Sequence, residues 1–205
     1  MEVFLFPLVN VTLFPRTTKP LNVFEPRYLA MVREAVRSQT PIALGFIEDP
    51  SKVTAVQPGE KVSFVREIAG FGQAQIIEER VNGTLLVFLK GEGKLRLGKV
   101  LDKGRPYIVC EAEIIPEENE LLPQLQTELD ALFRSLYRWI ETHIPDPTQR
   151  DILLRNLVEP EEIVGSFASY LVRDYDMQHM VLEFKDINEK VRFLYRLLES
   201  GELTT

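Results

Sequence analysis

The chain has a single cysteine, two histidines and no surplus of positive charge, and each shortage removes a class of function. Cys110 stands alone, so neither an intramolecular disulfide nor a metal site built on paired thiolates can form. It lies in the apolar run Tyr107-Ile108-Val109-Cys110, where a thiol behaves as a small buried hydrophobe. His143 and His179 fall in separate helical stretches, neither with a second histidine at ligand spacing, which argues against a metal centre. A formal charge of -7, from 31 acidic and 24 basic residues, argues against a nucleic-acid partner, which needs a basic face. The longest basic patch is the short run from Lys94 to Lys99. No apolar run approaches the ~18 residues of a membrane helix, and Met1-Glu2-Val3-Phe4 lacks the cationic start of a signal peptide. A cytoplasmic protein with no membrane partner is expected.

Catalytic motifs are also missing. Gly93-Lys94-Leu95-Arg96-Leu97-Gly98-Lys99-Val100 has the glycine and lysine spacing of a phosphate loop. However, Val100 stands where Ser or Thr must ligate magnesium, and the interior alternates like a strand. No Gly-x-Ser-x-Gly turn is present, and Gly165-Ser166 leads only into Phe167 and Ala168. The expectation is a non-enzyme with no cofactor.

What the chain does have is 45% hydrophobic residues, enough for a sizeable core, and 13 prolines placed as punctuation. Pro15 and Pro20 bracket the polar run Arg16-Thr17-Thr18-Lys19, read as a surface loop. Glu25-Pro26 places proline at a first helical position, and Tyr28, Met31, Val32, Ala35 and Val36 then share one helical face to about residue 37. Pro7, between apolar runs 3–6 and 9–14, indicates an edge or a bend. Buried or half-buried strands are expected at 41–47, 61–65, 72–78, 84–89, 94–97 and 107–115. Between them, residues 48–60 form a long loop, Asn82-Gly83 a hairpin, and Gly91-x-Gly93 a turn. Many short strands at this spacing predict an antiparallel, barrel-like or sandwich-like sheet.

After Pro116 the period changes. Leu122, Leu125, Leu129, Leu132, Phe133, Leu136 and Ile140 trace a long amphipathic helix. Asp146-Pro147 starts a second helix, Pro160-Glu161-Glu162 a third with Ile163, Phe167, Tyr170 and Leu171 inward, and Asp186-x-x-Glu189 a last one ended by Gly201. The fold class predicted is α+β: a β-rich barrel-like lobe with one helix over residues 1–116, then an α-helical bundle over 117–205.

Phe6-Pro7-Leu8, Leu13-Phe14-Pro15, Pro20-Leu21 and Phe24-Glu25-Pro26-Arg27-Tyr28 closely resemble the opening of the Lon protease N-terminal domain. The resemblance continues through Gly72, Asn82-Gly83, the turn into Lys94-Leu95-Arg96-Leu97 and Pro106-Tyr107. More loosely, it extends to the helix from Phe184 to Glu199. Leu95 departs from it, since the family often carries an aromatic between those basic residues. The resemblance implies a PUA-like β-barrel and a substrate-recognition role without ATPase or peptidase. Its partners would be unfolded or exposed protein segments, with a separate protease or chaperone needed for any part in proteolysis.

Four residues are candidates for peptide contact: Phe71, Glu25, Arg27 and Tyr28. Phe71, between Gly70 and Gly72, suits either an exposed aromatic contact or a bulge-filling core residue. Glu25 and Arg27 suit either a peptide-contacting surface or a brace between the proline-rich loop and the helix start. Phe14 and Phe24 are read as core. Two other readings stand beside recognition. One is an oligomerisation or scaffolding protein using an exposed Leu122 to Ile140 stripe, and the other is an enzyme with an unrecognised pocket.

Overall fold

The computed structural model describes residues 1–201 and 203. Contacts divide the chain into two compact units, Met1–Ile115 and Pro116–Thr205. The fold is α+β, with a six-stranded sheet and six α-helices among the described residues.

In the first unit the order is β1 (Glu2–Val9), β2 (Thr18–Val23), α1 (Pro26–Ser38), β3 (Ile42–Ile47), β4 (Ile68–Glu79), β5 (Leu85–Val100) and β6 (Ile108–Ile115). Neighbours run β2-β5-β4-β3-β1-β6, and β5 also pairs with β6, so the pairings return on themselves through β5. Only β1 and β3 are parallel, which corrects the expectation of a wholly antiparallel sheet. A parallel pair needs a crossover, and here β2 and α1 supply it.

β1 runs through Pro7. Its pairing with β3 spans Phe4 to Val9, but its pairing with β6 stops at Leu5↔Ile108. Phe4 N–H donates to Pro41 C=O on the β3 side (3.0 Å). By alternation, the position of Pro7 nitrogen faces the side β6 has already left. Proline therefore costs no ladder bond.

Two sequence expectations fail, a turn at Gly91-x-Gly93 and a strand at 61–65. Gly91 and Gly93 make no turn; β5 is one sixteen-residue strand that passes straight through them. A Cβ at Gly91 would lie 2.1 Å from the Phe14 carbonyl oxygen, and one at Gly72 would lie 1.8 Å from that of Lys90. These glycines admit crossing backbone rather than reverse the chain. The pairing shifts register between Phe71 and Gly72, which face Gly93 and Gly91, so Glu92 is the extra residue of a bulge in β5. Residues 61–65 form no strand: Lys61 bridges Lys99, while Val62 and Phe64 are buried in the core. Their alternation came from burial of a loop, not from pairing.

α1 begins with Pro26 at its first position and ends at Gln39, held at φ 55°. Tyr28, Met31, Val32 and Ala35 pack with Phe4, Phe6, Val23, Leu85, Val87 and Leu89 in one core cluster. Each such aliphatic side chain stabilises by about 1.5–3 kcal/mol when fully buried. Val36, expected on that face, is exposed. A second cluster on the other side of the strands contains Val3, Leu5, Ala43, Ala69, Leu95, Leu97 and Cys110. Burial pushes the Cys110 thiol up to about 12, so it is inert as a nucleophile at neutral pH.

The second unit contains α2 (Gln126–His143), α3 (Pro147–Arg155), α4 (Pro160–Leu171), α5 (Tyr175–Glu183) and α6 (Ile187–Ser200). α2 packs on α4 and α6 through Leu129, Leu132, Leu136 and Ile140, all buried. A short 3-10 turn, Pro123–Leu125, precedes α2, so the helix starts four residues later than the leucine stripe suggests. Asp146 caps α3 by accepting from the N–H groups of Thr148 and Gln149, and Glu159 with Glu162 forms a capping box on α4. α5 is the helical stretch expected around His179, and its start, which the sequence reading does not mark, is Asp174, whose side chain accepts from Met177 N–H. Ahead of α2, the chain is tied to the start of α6. Leu122 N–H donates to Asn188 Oδ1 (2.8 Å), and Asn188 Nδ2 donates to Glu120 C=O (3.0 Å).

Candidate functional site

Because β6 leaves β1 after Leu5, a gap opens between Pro7-Leu8 and the segment entering β6. It forms a cavity of about 440 Å³. Its walls are Pro7 and Leu8, Ile47, residues 53–56 with Pro58, Phe64, and residues 100–109. Glu25, Arg27 and Tyr28 line it as well, so three of the four residues singled out in the sequence meet at one place. Apolar walls with a few charged groups are the usual composition of a binding cleft.

The local fold holds these three in set positions. Glu25 has an extended backbone (φ -71°, ψ 132°), and its carbonyl accepts the first helical bonds from Tyr28 (3.0 Å) and Leu29 (2.9 Å). Its side chain does not cap the helix. Instead it accepts from Arg27 Nε at 3.0 Å and pairs with the guanidinium at 2.9 Å. The guanidinium carbon of Arg27 lies 4.5 Å from the centre of the Tyr28 ring, within cation–π range. The Tyr28 ring also packs against Phe6, ring centres 4.4 Å apart. Burial pushes the Tyr28 hydroxyl up, with Arg27 pulling the other way. Both side chains of the Glu25–Arg27 pair remain about half exposed, so the pair adds little stability.

A second cluster fixes the far wall. Tyr107 hydroxyl donates to Glu34 Oε2 at 2.6 Å, and Arg105 donates to Glu34 Oε1 at 2.5 Å. Sequence reasoning noticed Pro106-Tyr107 only as a strand entry and missed this tie between α1 and the 101–107 loop. The Tyr107 hydroxyl is pushed up to about 12, first by burial and then by its bond to Glu34. A tyrosine whose folded value exceeds its unfolded one supports the fold below pH 10. It loses that contribution as pH rises from about 10 towards 12. Tyr107→Phe should cost about 1.5–2 kcal/mol in urea unfolding at pH 7. It should also flatten the decline in stability between pH 10 and 12. An unchanged alkaline decline would show that other tyrosines carry it.

Of the three aromatic expectations, only that for Phe24 fails. Phe71 is only 5% exposed and packs in the second core cluster opposite the β5 bulge, so of its two readings the core one holds and the exposed contact does not. Phe24, read as core, is 69% exposed immediately before Glu25. Phe14 is buried as expected. Pattern alone could not separate Phe24 from Val23, its buried neighbour at the end of β2. Among the described residues, no three His, Cys, Asp or Glu side chains gather as metal ligands. The phosphate-loop lookalike lies inside β5 and opens no helix. No helix among the described residues is long and apolar enough to cross a membrane.

These features define a lobe of mixed sheet around one helix, followed by a helical unit. Residues 2–200 match the family of the ATP-dependent protease La (LON) substrate-binding domain, and the chain belongs to that family. It is 21% identical over 194 residues to the Lon protease of Buchnera aphidicola subsp. Acyrthosiphon pisum, covering 95% of this chain and 24% of that protein. It is 22% identical over 201 residues to the Lon protease of Syntrophomonas wolfei, covering 96% and 24%. The chain thus spans about a quarter of the length of these relatives. Two solved structures share the fold. The Lon N-terminal domain protein of Xanthomonas campestris has TM-score 0.66, 19% identity, and coverage of 95% of this chain and 96% of that one. The N-terminal domain of the Mycobacterium avium complex Lon protease has TM-score 0.69, 13% identity, and coverage of 97% and 98%.

Proposed function

We propose that this chain recognises segments of other proteins, unfolded or locally exposed, without itself carrying out chemistry. The carrying observation is the cavity of mixed apolar and charged lining at the family motif, with Glu25, Arg27 and Tyr28 in its wall and Phe24 exposed beside them in sequence. An apolar side chain would enter between Leu8, Ile47 and Phe64, while Arg27 and Glu25 would contact the polar backbone around it. The closed set of strand pairings supports a barrel-like reading of the sheet, and the packing of α2 on α4 and α6 a bundle-like one. Any role in protein quality control, in a cytoplasmic setting, would require a separate protease or chaperone to act on what is bound. The scaffolding alternative needed an exposed stripe, and that stripe is buried apart from Leu122, which is exposed, and Phe133, which is half-buried.

The test is binding of reduced, carboxymethylated α-lactalbumin, a permanently unfolded protein, followed by fluorescence anisotropy. Saturable binding is expected. Phe24→Ser, at a site with little burial to lose, should change stability by no more than about 0.5 kcal/mol yet weaken binding several-fold. Absence of binding by the folded protein would remove the recognition role.

A further inference from the structure

Among the strand edges that the register leaves in the first unit, those of β2 and β4 differ. Gly91 N–H donates to Thr17 C=O at 2.8 Å, which sets the alternation of β5. Through Lys19↔Leu89, Leu21↔Val87 and Val23↔Leu85, the odd residues of β5 bond towards β2. The even ones therefore bond towards β4, at Gln73↔Lys90 and Gln75↔Phe88. Arg80 N–H donating to Thr84 C=O (2.9 Å) keeps the even parity of β5 up to the hairpin, while on β4 the extra residue Ile77, at the register shift between Ile76 and Glu78, moves the bonded positions from odd to even. Two rows of peptide groups then point outward. On β2 they belong to Thr18, Pro20 and Asn22, and Pro20 removes the central donor, a usual way to blunt an edge. On β4 they belong to Ala74 and Ile76, with no proline among them.

The β4 edge is open for a definite reason. β3 pairs with β4 only through Ile42↔Gly72, Ala43↔Phe71 and Leu44↔Gly70. Upstream of Ile42 the chain turns away at Gln39, in its left-handed conformation, into α1. The track beside residues 73–79 that an earlier start to β3 would have filled is left as a groove of about 470 Å³, lined by Val36, Gln39, Gln73 and Ala74. Val36 and Ile77 are more than two-fifths exposed there. At the far end, Arg33 pairs with Glu79 at 2.6 Å, closing the track with a charge-neutral stop.

We infer that an extended segment of an unfolded protein binds by adding a strand to the β4 edge at residues 73–79, in line with β3. This deepens the proposed recognition role and rests on it. The occupant follows from the row itself. Peptide groups repeating every second residue are matched only by another extended backbone. The lining of Val36, Gln39 and Gln73 carries no net charge, which favours uncharged, apolar side chains. At a strand rise of about 3.3 Å per residue, the track holds a segment of roughly six or seven residues.

The experiment uses the full chain with two probes: carboxymethylated α-lactalbumin, and a fluorescent seven-residue Val/Thr peptide made with and without N-methylation of alternate amides. Ala74→Pro removes a donor only from the open edge and leaves the β4–β5 ladder intact. Asn22→Pro does the same on the β2 edge. Expected are about a tenfold loss of both probes with Ala74→Pro, a similar loss on N-methylation in one phase, and no loss with Asn22→Pro. Should Ala74→Pro fail to fold, Val36→Lys and the N-methylated peptide test the same track. Equal binding of methylated and unmethylated peptide, or a folded Ala74→Pro that binds normally, overturns strand addition while leaving recognition standing. No binding of α-lactalbumin by the wild type overturns both. A concentration-dependent dimer abolished by Ala74→Pro would assign the edge to a second copy and overturn the proposed occupant.

Discussion

Replacing Gly72 with alanine is expected to destabilise the first unit by about 3 kcal/mol or more. The added methyl would sit 1.8 Å from the Lys90 carbonyl oxygen and 2.9 Å from the Gly91 Cα, both backbone atoms of the paired strand. A flexible side chain could swing aside; β5 cannot, because it is held by β2 along its first half and by β6 along its second. The natural contrast is Gly83 in the β4–β5 hairpin, at φ 81° with open space around its missing Cβ. Gly83→Ala should cost only about 1 kcal/mol, from backbone strain alone. Urea unfolding followed by far-UV circular dichroism compares the two. Equal losses would mean that the sheet can relax around Gly72 and that the close approach of β4 to β5 is not obligatory.

The second large effect is expected in the helical unit. Lys190, in the first turns of α6, donates to Glu117 in the segment ahead of α2, and both side chains are at least nine-tenths buried. Lys190→Met would leave the Glu117 carboxylate without its lysine inside the protein, a change that costs about 3–5 kcal/mol when a buried pair is broken from one side. Replacing both at once, Lys190→Met with Glu117→Leu, removes the charge along with its partner and should recover most of the loss. Thermal unfolding of the two single variants and the double variant gives the coupling directly. A double variant as weak as Lys190→Met would show that packing of the lysine stem, and not charge, is what the site requires.

Helices were the most legible part of the sequence because their starts are announced by side chains that do a stated job. Asp146, Pro147, Pro160 and Asp186 each stand where a helix begins. Strands were legible as apolar alternation but not as partners. The run at 61–65 alternates as a strand should, yet Val62 and Phe64 are inward-facing residues of a loop. Gly91 and Gly93 read as a turn because close backbone approach and chain reversal call for the same residue. Only the carbonyl of Phe14, far away in the sequence, separates them. At the candidate site, the sequence identified Glu25, Arg27 and Tyr28. It could not find Leu8, Ile47 or Tyr107, which reach the cavity through strand order alone. Phe24 is exposed against its reading, and Phe71 stayed open between two readings, for a similar reason: exposure depends on what lies opposite, and a local pattern does not contain that.

The sixteen residues of β5 carry a consequence for how the protein comes into being. β2, β4 and β6 all pair with this one strand. During synthesis, residues 1–84 therefore leave the ribosome with β2 lacking its sole partner and β4 with only a three-residue pairing to β3. Closure waits further, until residues 108–115 arrive to join β1 to β5. For most of its translation the first unit is thus itself an extended, apolar chain with open strand edges, the kind of segment that its finished form is proposed to recognise.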